Sequence, residues 1–235
     1  MVGSEHTSKQ FDAELEAVRA RVLQMGGMVE SQIRLAVESL LSGDVGLMNR
    51  VIEDDHRVNA MEVEIDESCN RILVRRQPAA GDLRMITTVI KTITDLERIG
   101  DEAEKIARMA KLLSQKERLH LPRYNEIKHA SDIALDMLRK SLDAFARLDL
   151  STAAQVVRQD ELVDEEFRAI MRYLITFMME DPRTISTSLE ILFVAKAIER
   201  IGDHAKNMSE YVVYMVKGRD VRHVTVEEIE REVLE

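Results

Sequence analysis

Glu97-Arg98-Ile99-Gly100-Asp101 returns as Glu199-Arg200-Ile201-Gly202-Asp203, the same five residue types in the same order, each time inside a long segment whose apolar residues step by three and four. The chain therefore carries an internal repeat. In each copy Glu and Asp stand four positions apart, which on a helix sets two carboxylates side by side and costs about 0.2–0.5 kcal/mol. Each copy also holds a glycine in mid-helix, at about 1 kcal/mol relative to alanine. Two unfavourable choices, made twice, ask for a reason beyond helix formation.

The first copy sits in a helix that Asp82 is expected to cap, with Ile86, Val89, Ile90, Ile93, Leu96, Ile99, Gly100, Ala103, Ile106, Ala107 and Ala110 inward and the pattern fading near Leu113 to Lys116. Two similar helices precede it. Residues 1 to about 9 are small and polar and read as disordered. From Phe11 a narrow stripe of Leu15, Val18, Val22, Met25, Val29, Ile33, Ala36 and Leu40 marks the first helix, ended by Gly43. Asp44 caps the second, with Met48, Val51, Ile52, Val58, Met61, Ile65, Cys69, Ile72 and Leu73 on one face, which stops at Gln77-Pro78 because proline disfavours helix in the residue before it. Arg75 and Arg76 at this corner read as a solvated loop before they read as a partner contact.

Pro122 opens a second series in the same order. Its first helix carries Ile127, Ile133, Ala134, Met137, Leu138, Phe145 and Leu148 and ends at Asp149-Leu150-Ser151, a capping cluster. Its second carries Val156, Val163, Phe167, Ile170, Met171, Leu174 and Met178 and closes at Glu180-Asp181-Pro182, where Asp181 can cap and Pro182 fits the first helical position. Its third runs from about Arg183 to Lys217, and Gly218 ends it. Asp44 and Asp55 align with Asp149 and Asp160 at an offset of 105, whereas Gly100 and Gly202 align at 102, so the second unit has the shorter corner. The expected fold is all-α, two tandem three-helix units (10–116 and 122–218) whose short connections make each run up, down and up, followed by a charged tail (219–235) with helical character near Val226 to Leu234.

Composition agrees. Three prolines, nine glycines and 4% aromatics favour long helices over sheet, and 45% hydrophobic content is enough for a sizeable core. A formal charge of −10 disfavours nucleic acid and anionic membrane surfaces and suits cations or basic partners. The single cysteine, Cys69, lies on an apolar stripe and supplies neither a disulfide nor a thiolate metal site. The absence of an 18-residue apolar run or a charged leader followed by an apolar stretch reads as a cytoplasmic, non-spanning protein. The 13 methionines lie mostly on the stripes and read as core filler.

On a helical wheel Glu97 and Asp101 fall roughly 90° to 130° from the centre of their stripe, and Glu199 and Asp203 farther still. The second helix of each unit has its own pair four apart, Asp55 with Asn59 and Asp160 with Asp164, and Asp160 lies roughly 20° from the stripe centre. An inward acid needs a partner. Four oxygen side chains from two adjacent helices, without cysteine or a consistent histidine, suit Mg²⁺, Mn²⁺ or iron, and after them Zn²⁺. Acids at this spacing are common on solvated faces, and Arg98 or Arg200 can pair with Asp101 or Asp203 three positions on. The doubling within each unit and again between units favours a cation site. Glu53-x-x-His56 and Glu126-x-x-His129 imitate a di-iron element, but Glu53 and His129 point away from their stripes. His204, beside Asp203 but with Glu102 as its counterpart, reads as a solvated histidine before it reads as a further ligand, and no phosphate loop or nucleophile triad is present.

The segments KTITDLERIGDEAEKIA and KAIERIGDHAKNMSEYVVYMVKG, the corner RRQPAAGDLR and the turn MMEDPRTI resemble the PhoU family, accessory regulators of the bacterial phosphate-specific transport system. The likeness spans about residues 10 to 225 and both repeats. It implies two three-helix units and a Glu/Asp-x-x-x-Asp signature that holds multinuclear iron or zinc clusters on the surface in some members. Position by position, that signature falls on Glu97 with Asp101 and on Glu199 with Asp203, with Asp55, Asn59, Asp160 and Asp164 facing them and Asn207 a further ligand. Asn59 replaces an acid, and Lys105 stands where the second unit has Asn207, so the first site is expected to bind metal more weakly or differently. The resemblance further implies a homodimeric negative regulator of the phosphate-starvation response that couples the ATPase subunit of a phosphate ABC transporter to a membrane histidine kinase. A non-catalytic adaptor is preferred to the alternative, a metal-dependent phosphohydrolase, because beyond Arg98 and Arg200 no repeated basic set is placed to orient a substrate.

Overall fold

Among the described residues six long helices follow the six apolar stripes. The computed structural model describes residues 3–76, 78–115 and 124–234. In chain order they form α1 (Gly3–Ser42), α2 (Val45–Arg75), α3 (Ala80–Ser114), α4 (Tyr124–Arg147), α5 (Leu150–Glu180), a single 3₁₀ turn (Pro182–Thr184), α6 (Ile185–Lys217) and α7 (Val226–Leu234), with no strand among the described residues. Val22, Met25, Val29, Ile65, Ile93, Ile99, Met137 and Ile198 are essentially inaccessible to solvent. The stripes are the core.

The stop signals act as their chemistry requires. Asp44 and Asp149 accept backbone N–H bonds from the first turns of α2 and α5, and Asp181 caps the 3₁₀ turn that Pro182 opens. Gly218 closes α6 in the left-handed conformation, φ +75°. Three expectations are corrected. The polar N-terminal segment is helical from Gly3, since nothing between it and Phe11 breaks a helix already nucleated. Asp82 lies inside the first turn of α3 rather than capping it; Ala79, just after Pro78, takes that place without a side-chain bond. The tail is more than charged: Val221 and Ile229 are buried, Thr225 and Glu228 form a capping box, and Arg158 of α5 grips Glu230 of α7 at 2.7 Å. Lys116, Pro122 and Gln77 lie outside the described residues.

Each unit packs its helices antiparallel in sequence, α1·α2·α3 and α4·α5·α6, and the units meet chiefly through α3 against α6, with α1 against α4 beside them. Gly26 serves that second contact, because a methyl there would come within 2.6 Å of Leu142 on α4. The outer helices α2 and α5 lie at opposite flanks. This order leaves the α2–α3 and α5–α6 grooves, which carry the acidic repeats, open to solvent along one side.

At the end of α4 the second unit departs from the first. Gly43 turns the chain after α1 at φ +73°, and 105 residues later Leu148 does the same at φ +57°. A left-handed leucine costs about 1–2 kcal/mol that glycine avoids, and Leu148 is half-exposed, so it recovers little by packing. Leu148→Gly is therefore expected to raise stability by about 1 kcal/mol, read as a higher urea midpoint at unchanged slope; a lower midpoint would contradict this account.

Candidate functional site

Asp55 is turned inward by the register of α2 and is only 8% exposed. Its carboxylate is compensated by amides: Gln32 of α1 donates to Oδ1 at 3.3 Å, and Asn59 donates to Oδ2 at 3.1 Å. Gly100 is what lets α3 close over this node, because a methyl there would lie 3.2 Å from Gln32 Oε1 and 3.4 Å from Asp55 Oδ1. The glycine repeated in mid-helix thus has a packing reason. Above the node stand Glu97 and Asp101 of α3 and Glu62 of α2, which accepts a bond from Thr94 at 3.2 Å. Partial burial first, then the charge of Asp101, Glu62 and Asp55, holds the Glu97 carboxyl above the ordinary carboxylate range. The same causes, burial and then Asp55, raise that of Asp101. Among the described residues no lysine or arginine makes an ion pair with Asp55, Glu62, Glu97 or Asp101. Gln32 Oε1 and Asn59 Oδ1 are buried without a hydrogen-bond partner.

The second unit answers the same problem with cations. Asp160, also 8% exposed, receives the ammonium of Lys206 at 2.8 Å. Arg168 holds Asp164 at 2.8 Å, and Lys196 holds Glu199 at 2.5 Å while lying 5.3 Å above the ring of Phe167. Lys206 stands where the first unit has Glu104, Lys196 where it has Thr94 and Phe167 where it has Glu62. Asp203 alone among these acids has no basic contact. Partial desolvation beside α5, then the neighbouring Glu199 and Asp160 charges, pushes its carboxyl up to about 6, although the side chain still reaches solvent. Gly202 faces the Val163 side chain at 3.5 Å rather than an acid.

Between the units, α3 and α6 bury a polar seam. Asp95 Oδ1 bonds His204 Nδ1 at 2.7 Å and accepts from Asn207 at 3.3 Å, with the Tyr211 hydroxyl also on Asp95. Arg200 reaches Glu102 at 2.7 Å, which Lys105 also contacts at 3.2 Å. His204 is therefore buried rather than solvated, and Arg200 serves the seam rather than Asp203; a wheel drawn for α6 alone cannot show that α3 covers this side. Asn207 likewise spends its amide on Asp95, away from the acids it was grouped with. His56 bonds the Glu53 carbonyl on the surface, and His129 faces Glu166 at 3.8 Å, so neither forms an inward metal element.

The structure thus groups Asp55, Asn59, Glu97 and Asp101 as one acidic cluster and Asp160, Asp164, Glu199 and Asp203 as another, with Asn207 turned to the seam. Sequence reasoning missed Glu62, Gln32, Lys206 and Asp95. Glu62 was within reach, seven positions beyond Asp55 and so on the same face of α2. The others emerge only once helices pack. Among the described residues no three His, Cys, Asp or Glu side chains converge as a ready metal cage. The donor set of the first cluster still fits a hard cation: all oxygen, with no lysine or arginine in ion-pair contact among the described residues, and with two buried amide oxygens left over. That of the second fits less well, its charge being largely met from within the protein. Cys69 is buried, and its thiol is raised to about 11, so it offers no thiolate.

The family model of the PhoU domain matches residues 22–110 and again 127–212, one span in each helical unit. A phosphate-specific transport system accessory protein PhoU homolog of Pseudomonas putida is 50% identical over 229 residues, covering 97% of this chain and 89% of the relative. The crystal structure of PhoU from Pseudomonas aeruginosa superposes with a TM-score of 0.85 at 49% identity, covering 89% of this chain and all of that one. The phosphate transport system regulatory protein PhoU from Streptococcus pneumoniae gives 0.83 at 28% identity, over 90% of this chain and 99% of that one.

The raised Asp203 carboxyl sets a sign. The folded protein holds this proton up to about pH 6 and the unfolded chain only to about 3.8, so the contribution to stability is full below 3.8 and is lost as pH rises toward 6. Because the side chain reaches solvent, the effect is discounted to about 1 kcal/mol. In EDTA, Asp203→Asn is expected to melt higher than wild type at pH 8, with the difference shrinking by pH 5. A variant less stable at pH 8 would mean that Asp203 is held by an attractive pair.

Proposed function

This chain belongs to the PhoU family, and from that premise we propose that it is a cytoplasmic, non-catalytic regulator of phosphate uptake. It couples the ATPase subunit of a phosphate ABC transporter to a membrane histidine kinase, and holds the phosphate-starvation response off while phosphate is plentiful. The observation that carries this reading is the doubled family match along nearly the whole chain to proteins named as transport accessory or regulatory factors. No helix among the described residues is long and apolar enough to cross a membrane, so contact with membrane partners goes through their exposed parts. A second copy of the chain completes the working form as a homodimer.

In this reading a divalent or multinuclear metal, iron, zinc, manganese or magnesium, is held first by Asp55, Asn59, Glu97 and Asp101, with Glu62 supplying the carboxylate that Asn59 lacks. When bound, the metal supplies positive charge and ties α2 to α3. Asp160, Asp164, Glu199 and Asp203 form the second, weaker site, because Lys196, Lys206 and Arg168 must be displaced first. The expected ranking from sequence, in which Asn59 weakens the first unit, is thereby reversed. A metal-dependent phosphohydrolase is disfavoured: Arg200, one of the two repeated arginines, is engaged with Glu102 and is not free to orient a substrate.

Two outcomes check the proposal. Deleting the gene is expected to leave phosphate-starvation genes expressed in phosphate-replete cells; normal repression in the deletion strain would remove the regulatory role. Added Mn²⁺ is expected to raise the melting temperature of the EDTA-treated protein through linkage, a gain that Glu97→Gln with Asp101→Asn abolishes and Glu199→Gln with Asp203→Asn largely spares. An equal gain in wild type and both variants would exclude the acids as ligands.

A further inference from the structure

We propose that the pocket between α1 and α2, at the end of the unit away from the acidic cluster, binds a small phosphoryl anion. The pocket has a volume of about 230 Å³ and is lined by Glu14, Val18 and Arg21 of α1 and by Ser68, Arg71 and Arg75 of α2. Three guanidiniums meet one carboxylate in a chain whose net charge is −10. That carboxylate, Glu14, is already held by Arg76 at 3.3 Å.

Ser68 organises the floor. It donates to the Glu64 carbonyl at 2.8 Å and accepts from Arg71 at 2.9 Å and from Arg21 at 3.5 Å. Arg21 turns its other arm to Glu64. Among the described residues neither Arg71 nor Arg75 has a carboxylate within ion-pair contact, so two uncompensated guanidiniums share one pocket. The helix dipole accounts for a cation in the last turn of α2, where Arg75 lies, but its reach ends there and does not explain Arg21 brought across from α1. Guanidinium forks match the oxygens of a phosphoryl group two at a time, which a spherical halide cannot use. The volume is below the roughly 300–1,000 Å³ of sites for drug-sized ligands, which favours inorganic phosphate or the head of a small phosphomonoester over a nucleotide. Ser68 lies about 20 Å along the helix from Asp55 and about 9 Å from Glu62, and the pocket is lined by α1 and α2 whereas Glu62 turns to Thr94 of α3, so the two sites share no residue. The inference goes beyond the regulatory reading and does not depend on it.

Titration calorimetry of the full chain in EDTA, at fixed ionic strength, with inorganic phosphate and separately with phenyl phosphate, tests the site. Wild type is expected to bind at least one of them saturably, with affinity falling about tenfold or more in Arg71→Gln with Arg75→Gln and unchanged in Arg57→Gln on the same helix. Ser68→Asp, which keeps a partner for Arg71 but sets a negative charge in the pocket, should abolish binding even if the double variant folds poorly. Tighter binding of inorganic phosphate identifies the free ion as the ligand, and tighter binding of phenyl phosphate identifies a monoester. No saturable heat with either probe, or equal affinity in wild type and Ser68→Asp, would overturn the proposal.

Discussion

A buried carboxylate must be compensated, and each unit of this protein buries one on its second helix, Asp55 or Asp160. Left alone, such a charge would cost several kcal/mol or take up a proton. The first unit surrounds Asp55 with the amides of Gln32 and Asn59, which satisfy its lone pairs but leave its charge. The second sets the ammonium of Lys206 against one oxygen of Asp160, which offsets the charge itself. Much of the local architecture follows from that choice. In the first unit α3 lies close over the amide-bound carboxylate, with Gly100 against Gln32 and Asp55; in the second the ammonium reaches in from one helical turn beyond Asp203, and Gly202 packs on Val163 instead. The first cluster keeps its negative field, and the second spends it internally.

How much of this was legible in the sequence depends on whether one helix or two had to be known. The apolar stripes of all six helices, the stops at Gly43 and Gly218 and the caps at Asp44, Asp149 and Asp181 are properties of single segments, and they read directly. The inward bearing of Asp160, and its need of a partner, were also legible from one wheel. The partner was not, because Lys206 belongs to the neighbouring helix and has no repeat counterpart of like charge. His204 failed for the same reason. Its bearing is well off the α6 stripe, which means solvent only if nothing lies there, and α3 does. Leu148 gave no warning either, since a left-handed leucine carries none of the signals that glycine does.

The α3–α6 seam is unusually polar for the widest contact in the molecule. Besides Asp95 and His204, the hydroxyls of Thr88, Thr92, Ser188 and Ser209 are buried along these two helices without partners. Apolar ridges tolerate sliding by a residue or a turn, whereas hydrogen bonds of fixed length do not. Asp95 accepting from three residues on successive turns of α6 therefore sets the axial position of one unit on the other. Lys91, lying over the rings of Tyr211 and Tyr214 at 5.3 and 5.5 Å, fixes the same register farther along.

The seam also decides which unit can pair with which. The helix pairings α1 with α4 and α3 with α6 place the units about an approximate two-fold, the arrangement that two identical repeats would adopt as an isologous dimer. At the equivalent positions, however, the first unit has Glu102 where the second has His204, and the second has Ala197 where the first has Asp95. Two first units face to face would bring Asp95 against Glu102. Two second units would bury His204 opposite a methyl group. Like halves would set two acids together or leave a histidine without its acid, so the two faces fit as a lock and its key on a single chain, and neither half is a substitute for the other.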